Sequence, residues 1–410
     1  VFFDNTGGTT GNPSSGTNPS TTLLNSYTYF PTGGPLANGI SWNFGQRPFA
    51  YTPPTGFKSL HTGNLPDSAI VDGSEYFNTV LYNGAGGAQS ITGVGFQSDF
   101  TWIKSRTAAY THGLFDSNRG VQKLLQSNST AAEITSSAYV TSFNSDGFSI
   151  GGTQFLNGSG ETFVSWNWKA NGAGVSNTDG SITSTVSASP TAGFSVVTWT
   201  GVGSASNTIG HGLGAVPKMI ITKTRTASIA YNWNTYHDGL DATAPEDYFV
   251  ALNTTAARGS YTAANLWNRT KPTSSVFSVN SNAAAGPSGD LMVAYCFADV
   301  EGYSKFGSYT GNGSADGPFV YLGFRPKFVM IKRSSGVDNW AIFDTSRIGY
   351  NPDNNELLAN TSSAEGTADF IDIVSNGFKN RNADSRCNAS GSTYIYMAFA
   401  ENPFKNSLAR

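Results

Sequence analysis

Five short sequence landmarks occur three times in this chain, always in the same order, and this triplication constrains the fold more than any other feature. The most regular landmark is an apolar segment of strand length that ends in lysine. Its three lysines, Lys104, Lys223 and Lys332, lie 119 and 109 residues apart. This repeat is much longer than the 20–50 residues of a solenoid unit, and it suits a complete two-sheet sandwich of about 100 residues. We therefore expect three copies of one domain-sized module.

The other four landmarks surround the lysine-ended segment in each copy. A strand that runs into a Gly-containing turn precedes it at residues 77–84, 194–201 and 303–311. An aromatic segment follows it and ends in an aspartate, which is Asp116, Asp238 or Asp344. A turn with a phenylalanine that we expect to be buried comes next, at Phe148, Phe277 and Phe378. Each copy closes with an alternating aromatic strand at residues 162–168, 291–297 and 394–399, so the repeats cover residues 74–405.

Composition and periodicity agree on the fold class. Charged residues are 12% of the chain and aromatic residues 13%, whereas charged residues are about 25% of an ordinary globular protein. Short segments with period-2 alternation, separated by Gly, Asn, Ser and Thr, are typical of antiparallel strands. Only residues 119–132 have a weakly helical pattern. We predict an all-β protein with three serial antiparallel β-sandwich modules of one family and an incomplete N-terminal β segment.

The repeats also predict the domain boundaries. Modules 1, 2 and 3 are expected at residues 73–172, 193–302 and 303–410. Residues 173–192 read as a linker, in which residues 181–186 could add an edge strand. Residues 1–72 do not match the repeat and are rich in Gly and Pro. We interpret them as the end of a further β domain or as a strap on module 1, with residues 1–5 pairing with residues 40–44.

Charge and cysteine content exclude several classes of function. The net charge is −3, and the longest basic run is Lys332-Arg333, so we expect no nucleic-acid partner. No apolar stretch approaches the ~18 residues of a membrane span, so we expect no membrane insertion. Cys296 and Cys387 are too few for a disulfide framework or a zinc site. We expect both to be buried as small apolar side chains.

Four stretches of the sequence resemble phage proteins. Residues 42–57, WNFGQRPFAYTPPTGF, resemble the end of SPRY-like, concanavalin-type domains in structural proteins of tailed phages. An uncharacterised repeat family, found mainly in predicted virion and tail proteins of marine phages, is similar to residues 210–218 (GHGLGAVPK), 295–313 (YCFADVEGYSKFGSYTGNG) and 394–404 (YIYMAFAENPF). The resemblance implies a virion setting. It carries no active site over to this chain.

The best enzymatic interpretation uses the recurring aspartates. Asp116, Asp238 and Asp344 are candidates for paired carboxylates of the kind that hydrolyse glycosides, and Arg119 and Arg347 follow two of them by three residues. An aspartate that recurs in every copy is better explained as a scaffold residue that caps a turn and pairs with arginine. We therefore predict no catalytic residue.

Other polar motifs are equally weak. The chain has four histidines, and none forms the i, i+4 pair of a helical zinc site: His61, His112, His211 and His237. The dipeptide His237-Asp238 has no Gly-x-Ser-x-Gly motif to complete a triad. Residues 312–316 and 351–356 offer oxygen ligands for Ca²⁺ but are better explained as solvated loops. The glycines at 84–87 and 212–214 lie between expected strands and not before a helix, so they are not phosphate loops. We predict no metal and no cofactor.

The closing strands supply the remaining candidates for a contact site. Aromatic faces can stack on sugars or on a second subunit, and the candidates for such contacts are Trp166, Trp168, Tyr394 and Tyr396. We favour a place in the core between the sheets for most of these rings.

These observations predict a structural protein outside a phage particle, in a tail fibre, spike or capsid appendage that meets the host surface. Serial modules with separate cores would flex, so we expect a homo-oligomer, with a trimer favoured, in which the surplus aromatic residues bury subunit interfaces. Other virion proteins, and a host-surface glycan, are the expected partners. Two alternatives are an array of carbohydrate-binding modules and a polysaccharide depolymerase.

Overall fold

The computed structural model describes residues 69–401, except residues 227–230, 261–265, 281–285, 348–350 and 352. The interpretations of residues 1–68, including the strap and the pairing of residues 1–5 with 40–44, lie outside the described residues. The all-β class is confirmed: antiparallel strands dominate, and the two α-helices have four residues each.

The strands follow one another in three similar sets. Module 1 contains β1 (Phe77–Asn83), β2 (Gln89–Ile91), β3 (Phe100–Ser105), β4 (Gly113–Asp116), β5 (Lys123–Leu124), β6 (Ile134–Thr135), β7 (Val140–Asn144), β8 (Gly147–Ile150), α1 (Gln154–Asn157) and β9 (Thr162–Trp168). Module 2 contains β10 (Val175–Asn177), β11 (Ser184–Ser189), β12 (Phe194–Thr200), β13 (Asn207–Gly210), β14 (Met219–Thr224), β15 (Asn234–His237), β16 (Tyr248–Ala251), β17 (Gly259–Ser260), β18 (Val276–Val279) and β19 (Leu291–Phe297). Module 3 contains β20 (Ser304–Thr310), β21 (Phe319–Tyr321), β22 (Pro326–Arg333), β23 (Trp340–Asp344), β24 (Asp353–Leu358), β25 (Gly366–Val374), β26 (Gly377–Asn380), α2 (Ser385–Asn388) and β27 (Thr393–Ala400). Short 3-10 turns lie at Gly73–Glu75, Asp238–Leu240 and Pro245–Asp247.

The main sheets of the three modules contain the same four-strand unit. Its strand order is β1-β9-β3-β4 in module 1, β12-β19-β14-β15 in module 2 and β20-β27-β22-β23 in module 3. The lysine-ended strands β3, β14 and β22 therefore occupy the same place in each sheet. Their registers also agree, because the first residue of each landmark lies opposite Trp168, Phe297 or Phe399 of the closing strand. The predicted equivalence of the lysine-ended segments is confirmed.

The stretch interpreted as a linker with a possible edge strand contributes β10 and β11. Strand β11 includes part of the expected strand at residues 181–186 and pairs with β12, and β10 pairs with the other side of β11, so the sheet of module 2 extends beyond β12. Residues 119–132, despite their weakly helical pattern, contain turns and the two-residue strand β5. No helix forms in this segment. Its apolar residues Leu124 and Leu125 are buried, and Leu124 belongs to a strand.

Each module buries an outer core of its own. A smaller sheet covers one face of the main sheet, formed by β2-β8-β7 in module 1 and by β13-β18 in module 2. In module 3 the strands β25, β26 and β21 fold over the same face. Phe148, Phe277 and Phe378, the phenylalanines of the turn landmark, are at most 1% exposed in these three outer cores.

The opposite faces of the three main sheets meet in one common core. At its centre, Trp168, Phe297 and Phe399 contact one another from equivalent positions, with ring centroids 5.7–6.4 Å apart. These edge-to-face contacts place the modules around a pseudo-threefold axis. The expectation that the modules bury only separate cores is therefore wrong. Because the central strands are covered on both faces, every residue of β3 and β14 is buried.

Unfolding should be cooperative across all three modules, since none can expose its part of the common core alone. We expect Ile221→Val, a change in β14 of module 2, to cost about 1 kcal/mol and to lower the protection of amides in β3 and β22 by the same amount. Hydrogen exchange followed by mass spectrometry would measure this. A loss of protection confined to module 2 would contradict a shared cooperative unit.

Candidate functional site

The four aromatic residues proposed for glycan or subunit contact lie inside the chain. Trp166 and Trp168 belong to the common core, while Tyr394 and Tyr396 belong to the outer core of module 3. None of the four is more than 4% exposed. The assignment as a contact site is thus corrected: the closing strands have cores on both faces, so no ring is free to stack on a sugar or on another subunit.

Charged side chains are instead concentrated where two modules meet. At the junction of modules 1 and 2, the Asp116 carboxylate accepts hydrogen bonds from Arg119 Nε and from Tyr295 Oη of module 2, the latter at 2.8 Å. Arg119 Nη1 also donates to Glu133 Oε2 at 2.9 Å. Arg225 of module 2 closes the set by donating from Nε and Nη2 to the two oxygens of Glu133, both at 2.9 Å. We call this Asp–Arg–Glu–Arg set a charge ladder.

A second charge ladder lies at the junction of modules 3 and 1. Asp344 accepts hydrogen bonds from Arg347 Nε at 2.6 Å and from Trp166 Nε1 of module 1 at 3.0 Å. Arg347 Nη1 donates to Glu365 Oε2 at 3.1 Å, and Arg106 of module 1 binds both oxygens of Glu365 at 2.9 Å. Each ladder contains two acids and two arginines, so its formal charge is zero. Bidentate geometry and mutual neutralisation are what allow such charges to be buried.

The arginines of the first ladder act on the titration of Glu133. Burial on its own would raise the pKa of Glu133, but the hydrogen bonds from Arg225 and the charge of Arg119 outweigh it and hold that pKa below its usual value. Asp116 and Asp344 have fully buried side chains. Both are paired with arginine and buried away from solvent, whereas the acid and nucleophile of a glycosidase must reach the substrate.

Half of each ladder was not among the residues singled out from the sequence. These residues are Glu133, Glu365, Arg106 and Arg225. The contacts that join two modules span long stretches of sequence, with 92 positions between Glu133 and Arg225 and 259 between Arg106 and Glu365. A weak signal was present, because the arginine follows the landmark lysine by two residues in modules 1 and 2. Nothing in the sequence alone identifies its acidic partner.

The junction of modules 2 and 3 lacks the ladder. In modules 1 and 3 the aspartate lies opposite the first residue of the lysine-ended segment, but in module 2 the residue opposite Met219 is His237. Grouping Asp238 with the other two aspartates is therefore wrong by one residue. Asp238 points elsewhere and forms a half-exposed ion pair with Lys218 Nζ at 2.7 Å.

Every other position of the ladder is also replaced at this junction. Leu240 stands three residues after His237, where the other modules have arginine. A backbone hydrogen bond identifies the other two positions. In the ladders the glutamate N–H donates to the carbonyl of the second arginine, and here the N–H of Arg258 donates to the carbonyl of Ser334 at 2.8 Å, so Arg258 and Ser334 occupy those positions. His237 Nε2 donates instead to the Tyr396 carbonyl at 3.0 Å. A neutral histidine, a leucine, an arginine and a serine thus stand at the four positions that hold the Asp–Arg–Glu–Arg set at the other two junctions.

A polar pocket of about 330 Å³ opens beside this junction. Its lining comes from both modules and includes Asp238, Gly239, Asp241, Lys271, Phe306 and Ser308. Hydrogen bonds from the backbone of Thr243 and Ala244 lower the pKa of Asp241 to about 2. Asp241 stays ionised and Asp238 is paired with Lys218, so the pocket offers polar and charged contacts.

Two further features repeat at the junctions. The landmark lysines are buried, and burial lowers the pKa of each to about 8. Lys223 Nζ reaches the Thr130 carbonyl of module 1, and Lys332 Nζ the Thr255 carbonyl of module 2. Opposite each lysine, a ring N–H crosses to a backbone carbonyl of the neighbouring module: Trp233 to Gln126, Trp340 to Ala251 and His112 to Leu358.

Three histidines are locked as neutral rings. In each, Nδ1 accepts a hydrogen bond from an N–H and Nε2 donates to a backbone carbonyl; the rings are His112, His211 and His237. Burial lowers the pKa of His112 to about 3 and that of His237 to about 4. His61 lies outside the described residues. Both cysteines are buried and free, as predicted, and burial raises the pKa of each thiol.

The side chains that could donate to a metal ion are either too dispersed or already paired with other protein groups in the described residues. Within the described ranges, no group of three or more His, Cys, Asp or Glu side chains could hold a metal ion. In the loop at residues 312–316, Asn312 Oδ1 already accepts hydrogen bonds from Ser314 and Asn388. In the other candidate loop, Glu356 pairs with Arg386.

Chelation should therefore leave stability unchanged. We expect EDTA to shift the melting temperature of the full chain by less than about 1 °C, since a metal that binds the native state would stabilise it by mass action. Differential scanning fluorimetry with and without EDTA would measure the shift. A drop of several degrees, reversed by added Ca²⁺, would contradict the expectation.

Comparison with known proteins gives one family match. The model of a family described as a domain of unknown function, DUF7483, matches residues 72–403. This range starts at the edge of β1 and ends just after β27, so it contains all three modules. No curated protein and no solved structure matches the chain. In the part of the chain that the structure describes, no helix is long and apolar enough to cross a membrane.

Proposed function

The chain belongs to the DUF7483 family, and we propose that its three modules form a rigid structural block of a phage virion, in a tail fibre, spike or capsid appendage. The observation that carries the proposal is the common aromatic core, closed around three modules of one chain. Two charge ladders and the crossing lysines brace the rim of this core. Such a block resists local opening, because each module buries part of the other two.

A structural role also explains the recurring polar residues. Asp116 and Asp344 are fully buried, and each is bound by an arginine and by an aromatic donor of the neighbouring module. They join modules and have no access to a substrate. The proposal therefore includes no catalytic activity and disfavours the depolymerase alternative.

The virion setting is supported by the resemblance of four stretches to phage structural proteins, given above. The surplus aromatic residues no longer support a homotrimer, because they fill the common core of a single chain. A trimer remains a proposal by analogy with virion appendages. Mass photometry would separate a monomer of 43.3 kDa from a particle of three times that mass.

Particle composition tests the proposal directly. Virions purified through a density gradient should contain this chain in fixed stoichiometry with the other structural proteins, as measured by quantitative mass spectrometry. Immunogold labelling should place it outside the capsid or on the tail. Abundance in the infected lysate together with absence from purified particles would overturn the proposal.

The alternative of a carbohydrate-binding array requires an accessible aromatic surface in each module. The closing strands do not supply it, since their rings are buried. Exposed aromatic side chains are confined to module 3 among the described residues. Stacking of a glycan on aromatic rings is therefore restricted, among the described residues, to the surface of module 3 that carries Phe319 and Tyr321.

A further inference from the structure

Strand β21 of module 3 carries the two exposed aromatic side chains of the described residues. Phe319 is 47% exposed and Tyr321 is 60% exposed. Val320 between them is buried in the outer core. Because alternate residues of a strand point to opposite faces, both rings lie on the solvent face, with their Cα atoms about 7 Å apart.

The other two modules provide an internal comparison. Val320 lies opposite Phe378, and its counterparts Ile91 and Ile209 lie opposite Phe148 and Phe277 in the same register. The residues that flank these counterparts are Ser90 and Thr92 in module 1 and Thr208 and Gly210 in module 2. Two modules thus fold with small residues where module 3 exposes Phe319 and Tyr321. Folding does not require these rings, and an exposed pair of this kind marks an interaction surface.

Cationic side chains border the two rings. Lys305 Nζ lies 5.2 Å from the centroid of the Tyr321 ring and donates to the Tyr321 carbonyl at 3.0 Å. Lys379 lies directly opposite Phe319 on β26. Arg381, two residues further along, pairs with Asp372. Asp316 binds Lys379 at 2.6 Å and is 87% exposed, and the charge of Asp299 also acts on Lys305. Among the described residues, Lys379 and Arg381 are ion-paired whereas Lys305 forms no ion pair, which leaves its ammonium group available to an anion beside the Tyr321 ring.

We propose that Phe319, Tyr321, Lys305 and Lys379, here called the aromatic face, bind an acidic polysaccharide. The apolar faces of its pyranose rings would stack on the two aromatic rings, and its carboxylate or sulfate groups would meet the two ammonium groups. This inference rests on the proposed function, because it names the surface by which a virion component would meet a host glycan. The aromatic face is separate from the buried aromatic residues considered from the sequence.

Affinity electrophoresis of the full chain in gels that contain polygalacturonate, alginate or carrageenan tests the proposal, with neutral dextran as the comparison. We expect retardation by at least one anionic polysaccharide, none by dextran, and weaker retardation as salt is raised. Phe319→Ser with Tyr321→Thr copies the residues of module 1, and should weaken binding about tenfold or more. Lys305→Gln should weaken binding and reduce its salt dependence.

A matched control is available in the same module. Val337 is 68% exposed outside the aromatic face, so Val337→Ser should leave binding unchanged. All variants alter exposed side chains, and an unchanged melting temperature confirms that each has folded. Failure of all three anionic polysaccharides to bind, or equal binding to dextran, would overturn the proposal.

Self-association is the competing use of this surface. If the wild type is oligomeric and the double variant is monomeric, with no polysaccharide bound by either, the occupant is a second copy and the proposal is wrong. The particle experiment remains independent. Virions that incorporate the double variant would support the structural role even where glycan binding fails.

Discussion

Asp344→Ala is expected to lower the free energy of unfolding by about 3–5 kcal/mol, the range for breaking a buried ion pair by removing one partner. Asp344 is fully buried, and so is the side chain of Arg347. The substitution removes the carboxylate that pairs with the Arg347 guanidinium. It also removes the acceptor of the hydrogen bond from Trp166 Nε1. Asp116→Ala should have a similar cost, because Arg119 and Tyr295 lose the equivalent partner.

Asp238→Ala is the matched control. Its side chain is 40% exposed, and its partner Lys218 is 34% exposed, so the loss should stay below about 1 kcal/mol. Urea denaturation of the full chain, with one slope for all variants, would measure the three costs. Asp344→Asn should fall between wild type and Asp344→Ala, since an amide oxygen still accepts from Trp166. Equal costs for Asp238 and Asp344 would contradict the assignment of the ladders.

Acidification from pH 6.5 to 4.5 should cost roughly 5 kcal/mol through two buried histidines together. Burial is the main cause that lowers the pKa of His112 to about 3 and of His237 to about 4, while an unfolded histidine titrates near 6.5. Below pH 6.5 the unfolded chain therefore binds more protons than the native chain, so stability falls as the pH falls. The loss for each histidine is about 1.4 kcal/mol per pH unit until the pH nears its native pKa.

The groups around each imidazole ring also raise or lower its pKa. The charge of Lys104 lowers the pKa of His112, and the carbonyls of Leu358 and Thr361 raise it. Around His237, the Tyr396 carbonyl and Asp238 raise the pKa, whereas Lys218 lowers it. Burial exceeds these effects at both positions. Both rings contact module 3, so the acid sensitivity is expected where modules 1 and 2 meet module 3.

Glutamine variants isolate the two histidines. The amide of glutamine can replace a neutral imidazole as hydrogen-bond donor and acceptor, and it takes up no proton between pH 6.5 and 4.5. His112→Gln and His237→Gln should each reduce the average slope of unfolding free energy against pH by about 1.1 kcal/mol per unit between pH 6.5 and 4.5. Denaturation series at several pH values give these slopes. An unchanged slope in the double variant would show that other groups cause the acid sensitivity.

The sequence alone determined the class of fold and the repeat. Period-2 patterns, turn residues and the order of landmarks were sufficient to identify β3, β14 and β22 as equivalent strands. They also placed Phe148, Phe277 and Phe378 in cores. These features are local, because alternation and turn chemistry act over a few residues. The same local pattern correctly described Cys296 and Cys387 as buried.

Tertiary structure decided how the modules meet and where the polar residues act. An alternating pattern shows that Trp166 and Trp168 lie on a strand, but it does not show that both faces of that strand are covered. The pairing of Arg106 with Glu365 spans 259 positions, and no local pattern records it. His237 rather than Asp238 lies opposite Met219 and so occupies the ladder position. A difference of one residue decides which side chain points to that face, because successive side chains of a strand point to opposite faces. Register and the packing of sheet on sheet are long-range properties, so only the folded chain fixes them.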